Sequence, residues 1–168
     1  MKIVENNIRS EYVKRITNKY ISFAILSVVL LILPFLPRLY NRIALEFNRI
    51  KWNSQNISHY SYELDILCRC NYIYTFATIE VHDGQIVSMV DANGKVLELD
   101  GLYSEIFIRN GTVEGLFSNI QGEIFKADML RTMYDRKYGF PTTIILDPSR
   151  DWIDDERIYE ISNFEVLP

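Results

Sequence analysis

Two cysteines and two histidines in 168 residues leave little from which to build a metal centre. Zinc ordinarily takes four ligands, and only His59 and His82 could join the two sulfurs. Cys68 and Cys70 also lack the C-x-x-C spacing and the helix start that lower a thiol pKa. A basic excess is missing as well: 18 Lys and Arg stand against 22 Asp and Glu, a net charge of −4. Nucleic acid needs clustered cations to release its counterions, so no nucleic-acid partner is expected. No Ser or Cys nucleophile with an orienting acid is evident. No catalytic residue is therefore assigned, and no cofactor is expected.

Charge is absent locally too, from residues 20–37, YISFAILSVVLLILPFLP. Eighteen helical residues rise about 27 Å, close to the roughly 30 Å hydrocarbon core of a bilayer, so a single transmembrane helix is expected. The preceding residues 1–19 hold five Lys or Arg against Glu5 and Glu11. Such a short basic tail is expected in the cytoplasm, although Arg38, Arg42, Arg49 and Lys51 flank the other side. A large domain translocates largely regardless of its charge, which places the C-terminal part outside the cytoplasm. No small-x-small cleavage site and no lipid-accepting cysteine follow Pro37, so the segment is expected to stay as a signal anchor in the cell membrane. The rival reading is a buried core helix.

Four segments follow: a cytoplasmic basic tail 1–19, a transmembrane helix 20–37, a juxtamembrane helix 38–57 and an extracytoplasmic domain 58–168. In the third, Leu39, Ile43, Phe47 and Ile50 recur at helical spacing, with Trp52 beyond, and the stripe is expected to pack on the domain. A lipid-facing surface helix is the alternative. From His59 onward Tyr60, Tyr62, Leu64, Ile66 and Cys68 alternate with more polar residues, a strand period. Asp83-Gly84, Asn93-Gly94, Asp100-Gly101 and Asn110-Gly111 are hairpin signals, which predict strands over 72–82, 85–91, 95–99 and 102–109. Thr112 caps a helix through about Lys126, with Leu116, Phe117, Ile120 and Ile124 on one face. Strands are expected again over 129–135, 142–147 and 157–165. The fold class is α+β: an N-terminal transmembrane helix, then an antiparallel β-sheet meander packed with one or two helices.

More specific signals lie in Trp52, His59-Tyr60-Ser61-Tyr62, Cys68-Arg69-Cys70 and Val81-His82-Asp83-Gly84. Thr112–Phe117, the segment Tyr134–Thr142 with its YD-x-x-x-G-F-P pattern, Asp147 and Ile153–Glu156 complete the series. In order and spacing they resemble a bacterial family known as domain of unknown function 6174, over residues of about 49–166. The resemblance implies a domain that follows a signal peptide, a lipoprotein signal or a single span. It brings no established activity. Many relatives look like lipoproteins, whereas this chain has no lipid-accepting cysteine after its apolar run.

The candidate chemistry remains divided. Cys68 and Cys70 sit two apart on a strand, where Cα atoms lie about 6.5–7 Å apart, at the edge of disulfide geometry. A local disulfide, two buried thiols, and a redox or metal role are the three readings. Asp147, Asp151, Asp154, Asp155 and Glu156 could offer oxygen ligands to calcium, but without the spacing of the twelve-residue loop. They could instead be a solvated loop, or acids for hydrolysis. Tyr134, Asp135, Gly139, Phe140 and Pro141 form either a structural loop or a binding loop. His59 and His82 are expected as packed or exposed rings at strand ends. The expected role is a non-catalytic binding module of the cell envelope, with the membrane and an envelope protein as partners. The rivals are a redox or metal-handling protein and a hydrolase.

Overall fold

The computed structural model describes residues 20, 21, 23, 25–68, 73–98, 104–149, 151 and 154–168. The chain divides into two compact units, 1–39 and 40–168.

In the first unit, helix α1 runs over Ile25–Ile32, and a 3-10 turn follows at Leu33–Phe35. Helix α2 then occupies Leu36–Ser54. Among the described residues no single helix is long and apolar enough to cross a membrane; α1 and α2 meet that requirement only together, across the break. Within the run 20–37 the helix is therefore interrupted by the 3-10 turn at Leu33–Phe35. Pro34 and Pro37 have no N–H to donate, so the helical ladder loses two bonds within one turn.

The second unit is built on a six-stranded sheet in the order β3-β2-β1-β6-β5-β4, antiparallel throughout. Its strands are β1 (His59–Cys68), β2 (Ile73–His82), β3 (Gln85–Val90), β4 (Met129–Tyr134), β5 (Pro141–Asp147) and β6 (Arg157–Val166). Two three-stranded meanders therefore meet edge to edge, β1 against β6. Tyr60, Tyr62, Leu64, Ile66 and Cys68 are buried along β1, as a period of two requires of a half-covered strand. Between β2 and β3, Asp83 and Gly84 both take positive φ, 51° and 74°, which suits a two-residue hairpin turn.

Helices α3 (Ser104–Asn110) and α4 (Val113–Glu123) connect the meanders. Phe107, Leu116, Phe117, Ile120 and Ile124 join the buried side chains of the sheet in one core. Two expected strands are corrected here. Residues 102–109 contribute α3, because Phe107 and Asn110 are buried one helical turn apart and their spacing fits a helix better than a strand. Of the expected strand 95–99, the described residues 95–98 contribute only an isolated bridge, Val90 to Val96. Asn110-Gly111 consequently joins two helices, and Asp100-Gly101 lies outside the described residues.

The third correction concerns α2. Leu39, Ile43, Phe47 and Ile50 are exposed, while Leu45 and Trp52 are buried. The periodic stripe was the right pattern on the wrong side. The side facing the domain instead carries Leu45 and Trp52, with polar bonds beside them: the Asn41 amide donates to the Leu130 carbonyl at 2.9 Å, and Arg49 to the Gln121 side chain at 2.8 Å.

One irregularity positions the functional region. Between Ser61 and Glu63 the β1–β6 register shifts, and β6 carries one extra residue there. Asn163 supplies the bend with a φ of 50°, and its amide donates to Glu63 Oε2 at 2.7 Å. An extra residue reverses the alternation of every side chain after it. Phe164 is thereby brought to the same face as Tyr159 and Ile161 and packs against the core.

Candidate functional site

Thr112 adopts an extended conformation, and its hydroxyl accepts a hydrogen bond from the Gly115 N–H at 3.0 Å, which starts α4 at Val113. Glu114 then falls in the first turn, where a carboxylate is favoured by the helix dipole. Its two oxygens are both engaged: the Trp52 indole N–H donates to Oε1 at 2.9 Å, and the Tyr60 hydroxyl donates to Oε2 at 3.4 Å. The Tyr60 oxygen in turn accepts the Val113 N–H at 3.1 Å. Three elements, α2, β1 and α4, are joined through one carboxylate. Burial, and then the Glu114 charge, push the Tyr60 phenol well above its ordinary value. Burial raises the adjacent Tyr62 as well. Both phenols are therefore held in their neutral form at physiological pH.

Aromatic rings fill the space behind these bonds. Trp52 meets Tyr60 edge to face with centroids 5.4 Å apart, Phe164 at 5.9 Å and Phe140 at 6.3 Å. Phe140 stacks on Phe164 at 4.3 Å, and Tyr138 closes on Phe164 at 5.4 Å. A second polar contact holds α3 to α4: the Asn119 amide donates to Asn110 Oδ1 at 2.7 Å, and Asn110 donates to the Ile106 carbonyl.

Tyr134 ends β4, Pro141 begins β5, and Asp135, Gly139 and Phe140 lie in the connection between them. Asp135 Oδ1 accepts the N–H groups of Lys137 and Tyr138, at 2.8 and 2.5 Å. The Asp135 backbone closes the loop from both sides, through Phe140 O and Gly139 N. Lys51 of α2 donates to the Arg136 carbonyl. The carboxylate is thus spent on its own loop, and Phe140 on the aromatic cluster.

The other candidates are not drawn into this cluster. Cys68 is buried at the end of β1, and Cys70 lies outside the described residues. Asp147 ends β5, its carbonyl accepting the Asp128 N–H at 3.1 Å. Asp151 is exposed, Asp154 has a positive φ of 79°, and Asp155 and Glu156 are half-buried before β6. Among the described residues, no group of three or more His, Cys, Asp or Glu side chains could hold a metal ion.

His59 and His82 are cross-strand partners whose rings meet edge to face at 4.8 Å. His59 Nε2 lies 2.9 Å from Glu80 Oε1, and Nδ1 lies 2.9 Å from the Pro168 carbonyl. With an acceptor at each nitrogen, the doubly protonated ring is favoured, and His59 is raised above its ordinary 6.5, chiefly by the Glu80 bond and then by Pro168. Its stabilising contribution is therefore complete below the unfolded value and is lost as pH rises through the higher folded value. A proton-NMR titration of the full chain should place the His59 midpoint above 6.5. Stability should decline across that interval in the wild type and show less decline in His59→Gln; equal declines would remove His59 as the cause.

Sequence reasoning did not find Glu114, Asn110 or Phe164. Glu114 had a visible signal, an acid two residues after the Thr112 cap. Phe164 had none, because strand alternation alone sends it outward.

Residues 44–166 match the Family of unknown function (DUF6174), and the chain belongs to that family. The matched region takes in Trp52, Tyr60, Glu114, Phe140 and Phe164. No curated protein matches the chain.

Proposed function

We propose that this member of a family of unknown function is a membrane-tethered interaction module of the cell envelope. Residues 20–37 lie in the bilayer, the tail 1–19 stays in the cytoplasm, and the sheet-bearing domain stands outside it. One observation carries the tether. From Tyr20 to Phe35, twelve large apolar side chains are between 47 and 72 % exposed. Moving each such side chain out of water is worth about 1.5–3 kcal/mol when complete, a sum no isolated polar contact offsets. Lipid is the environment that supplies it, and helices interrupted by proline are tolerated there.

The binding role is supported by how the domain uses its distinctive residues. Trp52, Tyr60, Glu114, Asp135 and Phe140 bond or stack with one another and brace a rigid scaffold. The sheet face opposite the helices is left for contact, with Glu63, Glu80 and Glu160 beside Phe76, Ile158 and Met133 by strand register. That mixture suits a cationic protein surface with an apolar centre. Cys68 and Cys70 are read as a local disulfide that stiffens the end of β1, as an oxidising compartment favours.

The test is extraction and topology. Full-length protein should stay with membranes through alkaline carbonate and float with them. Protease added outside sealed, right-side-out vesicles should remove the domain, and native protein should show no reactive thiol until reduced. Release by carbonate, or a domain shielded from external protease, would overturn the reading.

A further inference from the structure

We propose that the outer face of α2 rests in the headgroup boundary of the bilayer, so that the domain is held against the lipid surface as well as tethered to it. This rests on the membrane-tethered reading above. Within the second unit, Tyr40, Ile43, Phe47 and Ile50 are each 61 to 71 % exposed. At 3.6 residues per turn they fall within an arc of about 80°. The opposite side of the helix carries Leu45, Trp52 and the bonds from Asn41 and Arg49 to the domain, while Lys51, at the edge of the stripe, reaches the Arg136 carbonyl. A helix on an ordinary globular surface shows the reverse, apolar inward and polar outward.

Charge selects the occupant. Residues 38–54 hold Arg38, Arg42, Arg49 and Lys51 against Glu46 alone, whereas residues 55–168 hold 9 basic and 19 acidic side chains. This stretch is the cationic part of an otherwise strongly acidic domain. An anionic leaflet attracts it and repels the remainder, which turns this face of the domain toward the lipid. The stripe also follows directly on the uncharged run 20–37, so it begins where the bilayer surface would be. An amphipathic helix with an aromatic and aliphatic face and basic residues on the rest of its surface is the known form of an interfacial segment. Here Lys51 flanks the stripe, and Arg38, Arg42 and Arg49 lie farther round the helix. A second copy of the same domain would bring one strongly acidic body against another, which favours lipid over self-association.

The experiment uses the full-length chain in vesicles of phosphatidylcholine and phosphatidylglycerol at three to one. A nitroxide is placed at Phe47→Cys in one sample and at Ser118→Cys, exposed on α4, in another. Power saturation should show the ratio of oxygen to water-soluble nickel collisions several-fold higher at position 47 than at 118. It should fall toward the value at 118 when phosphatidylglycerol is omitted. If position 47 meets nickel as freely as 118 while the protein still floats with the vesicles, the lipid contact is overturned and the tether stands. If the protein does not float, both readings fall. If position 47 is shielded from both reagents and shows spin–spin broadening, a second copy covers the stripe and the proposal is wrong.

Discussion

Replacing Trp52 with alanine is expected to remove about 3–5 kcal/mol of stability, the range for deleting a large buried aromatic side chain. The residue is 2 % exposed. Its ring is shared by three aromatic neighbours from three different segments, Tyr60, Phe140 and Phe164. No one of those segments can collapse into the space without pulling away from its own strand, so the cavity term should be nearly complete. The indole N–H adds the bond to Glu114, whose side chain is exposed enough for water to take over when the donor is lost. Trp52→Phe separates the two contributions. It keeps most of the ring contact and should cost about 1–2 kcal/mol, the lost bond plus a smaller ring. Urea unfolding of the detergent-solubilised chain, followed by circular dichroism, should move the midpoint with little change in slope. A loss below about 1 kcal/mol for the alanine variant would mean that the aromatic cluster does not hold α2 to the sheet.

How much of this region could be read beforehand depends on the kind of signal each residue gives. Strand β1 announced itself, since five buried side chains alternate strictly from Tyr60 to Cys68. The α4 start was equally legible, because a Thr cap followed by an apolar helical stripe has a local cause. Residues 102–109 misled because Asp100-Gly101 and Asn110-Gly111 bracket them like hairpin turns, while the burial of Phe107 and Asn110 that makes them helical is a tertiary fact. The α2 stripe misled for a different reason. Periodicity reports that a helix has an apolar face but not what lies against it, and here the domain is held by Leu45 and Trp52 together with the bonds from Asn41, Arg49 and Lys51. Phe164 was invisible because a one-residue bulge at Asn163 inverts the alternation. Glu114 could have been found, since it lies in a segment already distinguished by its resemblance. Its bonds to Trp52 and Tyr60 span 62 and 54 residues of sequence, distances over which spacing carries no information.

The β4–β5 loop offers the sharpest separation of backbone strain from packing, through two glycines that share one conformation. Gly139 has a φ of +87°, and a Cβ there would lie 2.8 Å from the Asn48 carbonyl oxygen and 3.1 Å from Lys51 Cβ, both on α2. Gly84, in the β2–β3 turn, has a φ of +74° with nothing within 4 Å of the same position. Alanine at Gly84 should therefore incur only the left-handed backbone cost, about 1–2 kcal/mol. Alanine at Gly139 adds an overpacking cost of about 1–3 kcal/mol, because the nearest obstacle is a helix carbonyl rather than a flexible side-chain tip. The expected loss there is about 3 kcal/mol in all. The same change should unseat Lys51 from the Arg136 carbonyl and loosen Phe140 within the aromatic cluster. Amide exchange of Gly139 and Asp135, whose N–H groups close the loop, should accelerate in Gly139→Ala and stay unchanged in Gly84→Ala. Equal stability losses for the two variants would show that α2 does not press on the loop. The path from the juxtamembrane helix through Lys51 and Phe140 to the sheet would then be broken at its first contact.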